Sequence, residues 1–384
     1  MKLHSITLHG FRGYKERTTI EFGNLTALIG KNDAGKTTVL EALDLFFNDK
    51  KGVVKFEKSD INVDLLKENP KFEVEIGCEF TDYPQELVLD ESTKTDLESE
   101  YLLNSKKHLE IIKKFLPSGI SRTYIRALHP CGEHCSNLIT TKIKDLRKIV
   151  EQHNIVCPDK TSNPVLRKSI WSHFDELGEL NLQETEIEID KEDGKAIWGK
   201  LQNYLPIYSL FQSDRKNSDN DDEVQDPLKT AVREILAAPK MREQLEAIAA
   251  EVSKTLRDVS SRTLDKLREL DPSVASTLKP NIPGPDLLKW PDVFKGVSIS
   301  GDKDIPINKR GSGIKRLVLL SFFRAEAERR SQSSFSASII YGFEEPETSQ
   351  HPNNQTKLIK SFLQLSEKSN TQIIKSTNCQ KFEF

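Results

Sequence analysis

Eight consecutive residues, Gly30-Lys31-Asn32-Asp33-Ala34-Gly35-Lys36-Thr37, spell G-x-x-x-x-G-K-[ST] in full, with a second threonine, Thr38, directly behind them. The chemistry of that spacing is phosphate capture. Glycines let successive backbone N–H groups turn toward one anion, and a helix that starts at the lysine adds its positive end. Lys36 is placed to reach outer phosphates, and the Thr37 hydroxyl is a Mg2+ ligand. The pattern predicts a bound nucleotide.

A lone phosphate loop serves kinases, GTPases and many ATPases, so the second half of the site must come from elsewhere. Far downstream, Ser338-Ile339-Ile340-Tyr341-Gly342-Phe343 is an apolar run that ends in Glu344-Glu345-Pro346-Glu347. Paired carboxylates at a strand end suit two tasks: the first holds Mg2+ and the second orients or deprotonates an attacking water. Between the two sites, Gly311-Ser312-Gly313 precedes a helix-like stretch from Val318 to Arg329. Free N–H groups and a hydroxyl at a helix start form another anion site, or simply a helix cap. One chain already has a full cradle, so a second anion site makes sense if it closes on the nucleotide of a partner.

The elements that must carry these residues are legible from periodicity. Leu3, Ile6 and Leu8, then Thr18 to Phe22, then Leu25 to Ile29 read as strands bounded by Gly, Asn or charged residues. Val39, Leu40, Leu43, Phe46 and Phe47 fall on one stripe and predict a helix behind the loop. Phe72, Val74, Ile76, Cys78 and Phe80 alternate, as in a half-buried strand. From 85 to 205, charged helix-prone pieces alternate with irregular ones and no phosphate chemistry is visible. The run Asp214 to Asp226 is polar enough to be a surface loop. Leu245, Ile248, Val252, Leu256, Val259, Thr263, Leu267 and Leu270 recur at three or four, ending before Pro272 and Pro280. That stripe suits either a helix packed on its own domain or an arm that pairs with another chain.

With 384 residues the chain has room for two or three domains, or for one large core with inserts. No apolar run approaches the ~20 residues of a membrane span, and the N-terminus lacks a signal-peptide core. No membrane contact is therefore expected, and a cytoplasmic location follows by default. A net charge of −3 excludes a globally basic nucleic-acid binder, although 56 Lys and Arg leave room for a local basic groove. Five cysteines are too few and too scattered for a disulfide framework.

Three segments together carry a family resemblance. They are Phe11-Arg12-Gly13, the loop from Gly30 to Thr38 with Val39-Leu40-Glu41-Ala42-Leu43, and Glu344-Glu345-Pro346-Glu347-Thr348-Ser349-Gln350-His351-Pro352. They resemble the ABC-type ATPase heads of the RecF/SMC group, most of all the OLD (overcoming lysogenisation defect) family. The resemblance implies an α/β fold, a P-loop ATPase head split by a helical insertion and carrying a long helical arm. Its parts are an N-terminal lobe over 1–84, the insertion over 85–205, an arm for dimerisation or partner contact over 206–280, and a C-terminal lobe over 281–384.

In such heads ATP and Mg2+ are the ligands. Carried onto this chain, Gly30, Asn32, Asp33, Ala34, Gly35, Lys36, Thr37 and Thr38 cradle the nucleotide, and Thr37 with Glu344 serves the metal. Glu345 is the catalytic base beside Glu344, and Arg12 is the nucleotide-proximal arginine. Ser312 and Gly313 reach the γ-phosphate in trans, which implies a homodimer or higher oligomer. Gln212 resembles the loop glutamine that senses Mg2+.

The resemblance implies action with DNA, in repair or antiviral defence, through a separate nuclease, toxin or reverse-transcriptase partner. The alternative is an ATP-sensing scaffold that controls such a partner without touching DNA; a small-molecule kinase is a third reading, which Gly311-Ser312-Gly313 argues against. Asn378 stands where the family usually has a histidine, so slow or differently coupled hydrolysis is expected. OLD nucleases continue into a Toprim domain, whose acidic cluster has no counterpart here, so intrinsic nuclease activity is not expected. Separately, His129, Cys131, His134, Cys135, His153 and Cys157 are a possible zinc constellation of irregular spacing.

Overall fold

The computed structural model describes residues 1–49, 52–90, 93–191, 194–212, 338–347, 352–367 and 370–378, together with scattered positions between 232 and 254. The chain divides into two compact units, 1–214 with 338–384, and 215–337. Of the second unit, a few helical residues are described, among them Leu245 and the half-exposed Ile248 of the predicted stripe. The rest of that stripe, the Asp214–Asp226 loop and the Gly311-Ser312-Gly313 segment lie outside the described residues.

The first unit is built on two sheets. One has six antiparallel strands in the spatial order 18–21, 2–9, 74–81, 109–115, 121–130 and 182–188, and the other has four parallel strands in the order 207–211, 339–344, 371–378 and 25–30. In the first, β1 (Lys2–His9), β2 (Thr18–Glu21) and β4 (Val74–Thr81) match the predicted strands. Their inward side chains Leu3, Ile6, Leu8, Val74, Ile76, Cys78 and Phe80 are fully buried. A separate two-stranded hairpin pairs β5 (Leu87–Asp90) with β6 (Thr93–Thr95).

The region expected to be an insertion continues this sheet without a break. β7 (Leu109–Phe115) pairs with β4, β8 (Ser121–Pro130) with β7, and β9 (Leu182–Glu188) with β8, so the expected boundary at residue 84 runs between strands of one sheet. The sequence conceals them because their outer face is a ladder of charges. Lys114 bridges Glu75 and Glu186, and Arg126 bridges Glu110 and Glu186. Three helices do lie in the region: α3 (Ile143–Gln152), α4 (Asn163–Glu176) and α5 (Gly194–Leu201); the short α2 (Val63–Glu68) precedes β4.

The parallel sheet joins distant parts of the chain. β3 (Leu25–Gly30) carries the phosphate loop, β11 (Ile339–Glu344) the paired carboxylates, and β12 (Thr371–Asn378) lies between them. Residues counted with the arm on the sequence, Ile207–Phe211, are β10, the strand beside β11. A five-residue apolar run buried on both faces has no alternation to betray it, and it abuts a polar stretch that draws it into a loop or helix reading.

α1 (Lys36–Asn48) sits between the two sheets as the predicted stripe demands. Phe46 packs at 6.2 Å from Phe80 of the antiparallel sheet, while Phe47 stacks at 5.7 Å on Tyr208 of β10. The Tyr208 hydroxyl donates to the Leu40 carbonyl at 2.8 Å, and a Cβ on Gly342 would come within 2.2 Å of that same oxygen. Glycine is therefore required for the close approach of β11 to β10. On the opposite face of the parallel sheet, Phe343 stacks on Phe362 of α6 (Pro352–Ser366) at 4.5 Å. Gln372 stitches the sheets together: its amide accepts from Leu3 N–H and donates to Leu3 O, each at 2.8 Å, so a side chain imitates a strand neighbour.

Candidate functional site

All strands of the second sheet run parallel, so their C-terminal ends open on one side, where such sheets place ligands. The pairing register sets Glu344 beside Ser376, Ser376 beside Leu28, and Asn378 beside Gly30. The phosphate loop and the acidic strand thus finish at one level, with a single strand between them. An open cavity of about 730 Å3 lies there, lined by Arg12, Gly13, Tyr14, Asn32 to Thr38, Glu344 and Glu345.

The loop geometry follows from its residue types. Asp33 and Gly35 both have positive φ, 63° and 83°. Those angles turn the chain so that its N–H groups follow one another around a concave path. The Lys36 ammonium donates to the carbonyls of Gly30 at 2.7 Å and Lys31 at 2.8 Å, which ties the side chain across its own loop. Lys36 is nearly buried, at 9% exposure, and lines the cavity.

Across the cavity the Thr37 hydroxyl donates to Glu344 Oε1 at 2.5 Å, between residues 307 positions apart. A hydroxyl and a carboxylate in that arrangement are oxygen donors of the kind Mg2+ takes, with room in an open cavity for phosphate oxygens and water. Glu345 follows in a left-handed conformation with φ 41°. Its N–H is held by the Ser376 carbonyl at 3.2 Å and hydroxyl at 3.3 Å. Non-glycine residues are rare there, and such strain concentrates at functional turns. The turn is held a second time, because the carboxylate of buried Glu347 accepts from the Thr377 hydroxyl at 2.5 Å.

Arg12 reaches the cavity from the turn after β1, itself at φ 49°. Its guanidinium donates to Asp60 Oδ1 at 2.8 Å and to Glu41 on α1. Burial alone would lower its pKa, but these two carboxylates outweigh that and raise it. Gln212 donates to the other oxygen of Glu41 at 3.0 Å and does not line the cavity. It therefore bears on the site through Glu41 and Arg12, one step back from the position its resemblance implies. Asn32, Asp33, Ala34 and Thr38 all line the cavity. Ser312 and Gly313 lie outside the described residues, as does the side chain of Asn378.

Tyr14 was not singled out by its sequence position. Its hydroxyl donates to Gly35 O at 3.3 Å, and a Cβ on Gly35 would meet that hydroxyl at 2.9 Å and the ring at 3.1–3.2 Å. Only the turn after β1 brings it over the loop. The adjacent Phe11-Arg12-Gly13 was the one signal pointing there.

The irregular Cys/His constellation is not assembled. Among the described residues, the only His, Cys, Asp and Glu ligand atoms that gather in threes belong to His4, Glu79 and His108. His129 Nδ1 lies 2.9 Å from Tyr101 O, and buried Cys135 is walled in by Trp171, whose Nε1 donates to its carbonyl at 3.0 Å. His134 and His153 pack against Phe174. His129 and Cys135 are thus core residues, while His134 and His153 form a ring contact nearer the surface, with centroids 4.5 Å apart. No helix among the described residues is long and apolar enough to cross a membrane.

A family model described as AAA ATPase domain matches residues 1–378. Among solved structures, one described as the SmcHead bound to the C-winged helix domain of ScpA is similar at 14% identity and a TM-score of 0.43, covering 98% of this chain and 90% of that one. The SMC head domain from Thermotoga maritima is similar at 14% identity and a TM-score of 0.35, with coverage of 98% and 90%. The comparison with curated proteins finds no match.

Proposed function

The chain belongs to the AAA ATPase domain family, and on that premise we propose that it binds ATP with Mg2+ at the Gly30–Thr38 loop and hydrolyses it. The observation that carries this reading is the 2.5 Å contact between the Thr37 hydroxyl and Glu344, which unites the phosphate loop with the acidic strand. The loop N–H groups and Lys36 take the phosphates. Thr37 and Glu344 hold Mg2+, whose role when bound is to neutralise charge on the outer phosphate oxygens. Glu345 accepts the proton of the attacking water. Its backbone, pinned by Ser376, aims the carboxylate at the cavity. Arg12, oriented by Asp60 and Glu41, adds positive charge at the rim.

The proposal extends to assembly. Gly311-Ser312-Gly313 is a second anion site, and its use is to close on the ATP of another copy, giving an ATP-dependent homodimer. The resemblance to OLD and RecF heads supports action with DNA in repair or antiviral defence. Steep weakening of duplex DNA binding with salt is the expected signature, since phosphate contacts release counterions.

Two variants test the core. Lys36→Ala should lose ATP binding with its thermal unfolding unchanged; tight ATP binding by that variant would sink the loop assignment. Glu345→Gln should keep ATP binding, lose turnover by about 10²–10⁴-fold, and accumulate an ATP-bound oligomer in sizing experiments. Undiminished hydrolysis would remove Glu345 as the base.

A further inference from the structure

The outer face of the antiparallel sheet holds a cluster that the nucleotide site does not use. β4 alternates, so Phe80 points inward toward Phe46 of α1 while Glu79 points outward. Beside Glu79 stand His4 of β1 and His108, the residue before β7. His108 Nδ1 lies 2.9 Å from Glu79 Oε2, and the His4 and His108 rings meet edge to face with centroids 4.6 Å apart. One ligand atom from each of the three residues falls within 4.8 Å of the others.

Three features set this cluster apart from an ordinary surface ion pair. First, His4 stands at an irregularity in the β1–β4 register, between Leu3 and Ser5. A bulge there re-aims a side chain out of simple alternation, and bulges of this kind recur beside functional sites. Second, Ser5 is directly opposite Glu79, and its buried Oγ has no hydrogen-bond partner. Third, Glu79 also pairs in register with Glu110 of β7, two carboxylates directly opposite each other. Such a pair is unfavourable unless a cation sits near it. Glu110 has Arg126 at 2.8 Å. Among the described residues, the permanent cation nearest Glu79 is Lys106, an exposed side chain whose Nζ stays 3.8 Å away on Oε1, the oxygen that does not face His108.

We propose that His4, Glu79 and His108 form a binding site for a borderline divalent transition-metal ion, Zn2+ above all, on the face of the sheet away from the phosphate loop. Two imidazoles and one carboxylate are a donor set such ions take, and with three protein ligands one position stays open. Bonds of about 2.0 Å in a tetrahedron put ligand atoms about 3.3 Å apart. The spacing present brackets that value, with His108 Nδ1 2.9 Å from Glu79 Oε2 and all three ligand atoms within 4.8 Å. The Ser5 hydroxyl is placed to hold a metal-bound water. Because the ligands come from β1, from β4 and from the start of β7, a bound ion clips three neighbouring strands, and its free energy adds to the stability of the sheet.

The test uses the full chain, stripped with a chelator and free of nucleotide. Calorimetric titration with Zn2+ and visible absorption with Co2+ should report a single site, and Zn2+ should raise the melting temperature. His4→Ala, Glu79→Gln and His108→Ala should each weaken Zn2+ at least about 10–100-fold, the loss caused even by an outer partner of a metal ligand. Lys36→Ala should bind Zn2+ as the parent does, which separates this site from the nucleotide site. His4→Ala guards against misfolding, since that half-buried side chain can go without opening the core; its metal-free melting temperature should match the parent. The proposal is overturned if the parent takes up no Zn2+ or Co2+, leaving Glu79 served by Lys106 and His108 alone. It is overturned equally if His4→Ala and His108→Ala bind with parental affinity.

Discussion

The two sheets of the first unit handle polar groups in opposite ways. In the parallel sheet they collect at the C-terminal strand ends and are positioned by backbone geometry: positive φ at Asp33, Gly35 and Glu345, and N–H contacts to Ser376. In the antiparallel sheet and the helices packed on it, charged side chains are paired with one another. Arg167 of α4 donates to both oxygens of Glu100, at 2.8 and 3.1 Å, with each side chain only 2% exposed. The difference teaches where each part is vulnerable. The first region is sensitive to a single backbone angle and the second to the loss of a partner.

The contrast is broken most severely at Arg167. Arg167→Ala leaves the Glu100 carboxylate buried, still touched by Thr95 at 2.9 Å but without its countercharge. Loss of one member of such a pair costs about 3–5 kcal/mol, measurable in urea unfolding. Replacing both members with apolar residues should cost less, and ATP binding by the folded fraction should not change. An Arg167→Ala variant as stable as its parent would contradict the buried pairing.

Next in size is an acid limb. His129 is buried against Trp171 and Tyr101 O, and burial pushes its pKa down to about 4. The unfolded chain, with an ordinary value near 6.5, binds more protons than the folded one between these limits. Stability from this group is therefore complete above about pH 6.5 and is lost as the pH falls toward about 4, at most about 3 kcal/mol. Melting temperatures of the parent should drop across that window, and His129→Gln should flatten the drop.

Two glycines sharpen the comparison from the other side. Gly342→Ala puts a methyl against Tyr208 Oη and strains the β10–α1 contact, an overpacking cost of about 1–3 kcal/mol. It should lower the melting temperature more than the ATP affinity. Gly35→Ala should do the reverse. Its φ of 83° costs an L-residue about 1–2 kcal/mol, and its methyl would press on Tyr14. ATP affinity should fall roughly tenfold, the equivalent of about 1.4 kcal/mol. Adding Tyr14→Ala should recover the steric part of that loss and leave the part due to φ.

The readings that held share a physical cause. β1, β3, α1 and β11 were legible because each is short-range: an apolar period bounded by turn residues, or a motif whose chemistry requires its own spacing. β7, β8 and β9 were hidden because charged residues line their outer face, and Lys113 even points inward, where its ammonium lies 5.6 Å from the Phe46 ring centroid. β10 was assigned to the helical arm because a strand buried on both faces carries no period.

By itself the amino-acid sequence determined that a complete G-x-x-x-x-G-K-[ST] loop exists, that it opens a helix, and that an acidic strand end lies far along the chain. Those are properties of contiguous residues, set by local sterics and hydrogen bonding. What only the tertiary structure decided is which distant groups meet. Glu344 reaches Thr37, Tyr14 covers Gly35, and Arg12 is oriented by Asp60 and Glu41, with Gln212 a step behind. Strand order and register fix those encounters. They arise from burial of two sheets against α1, and no local spacing encodes them.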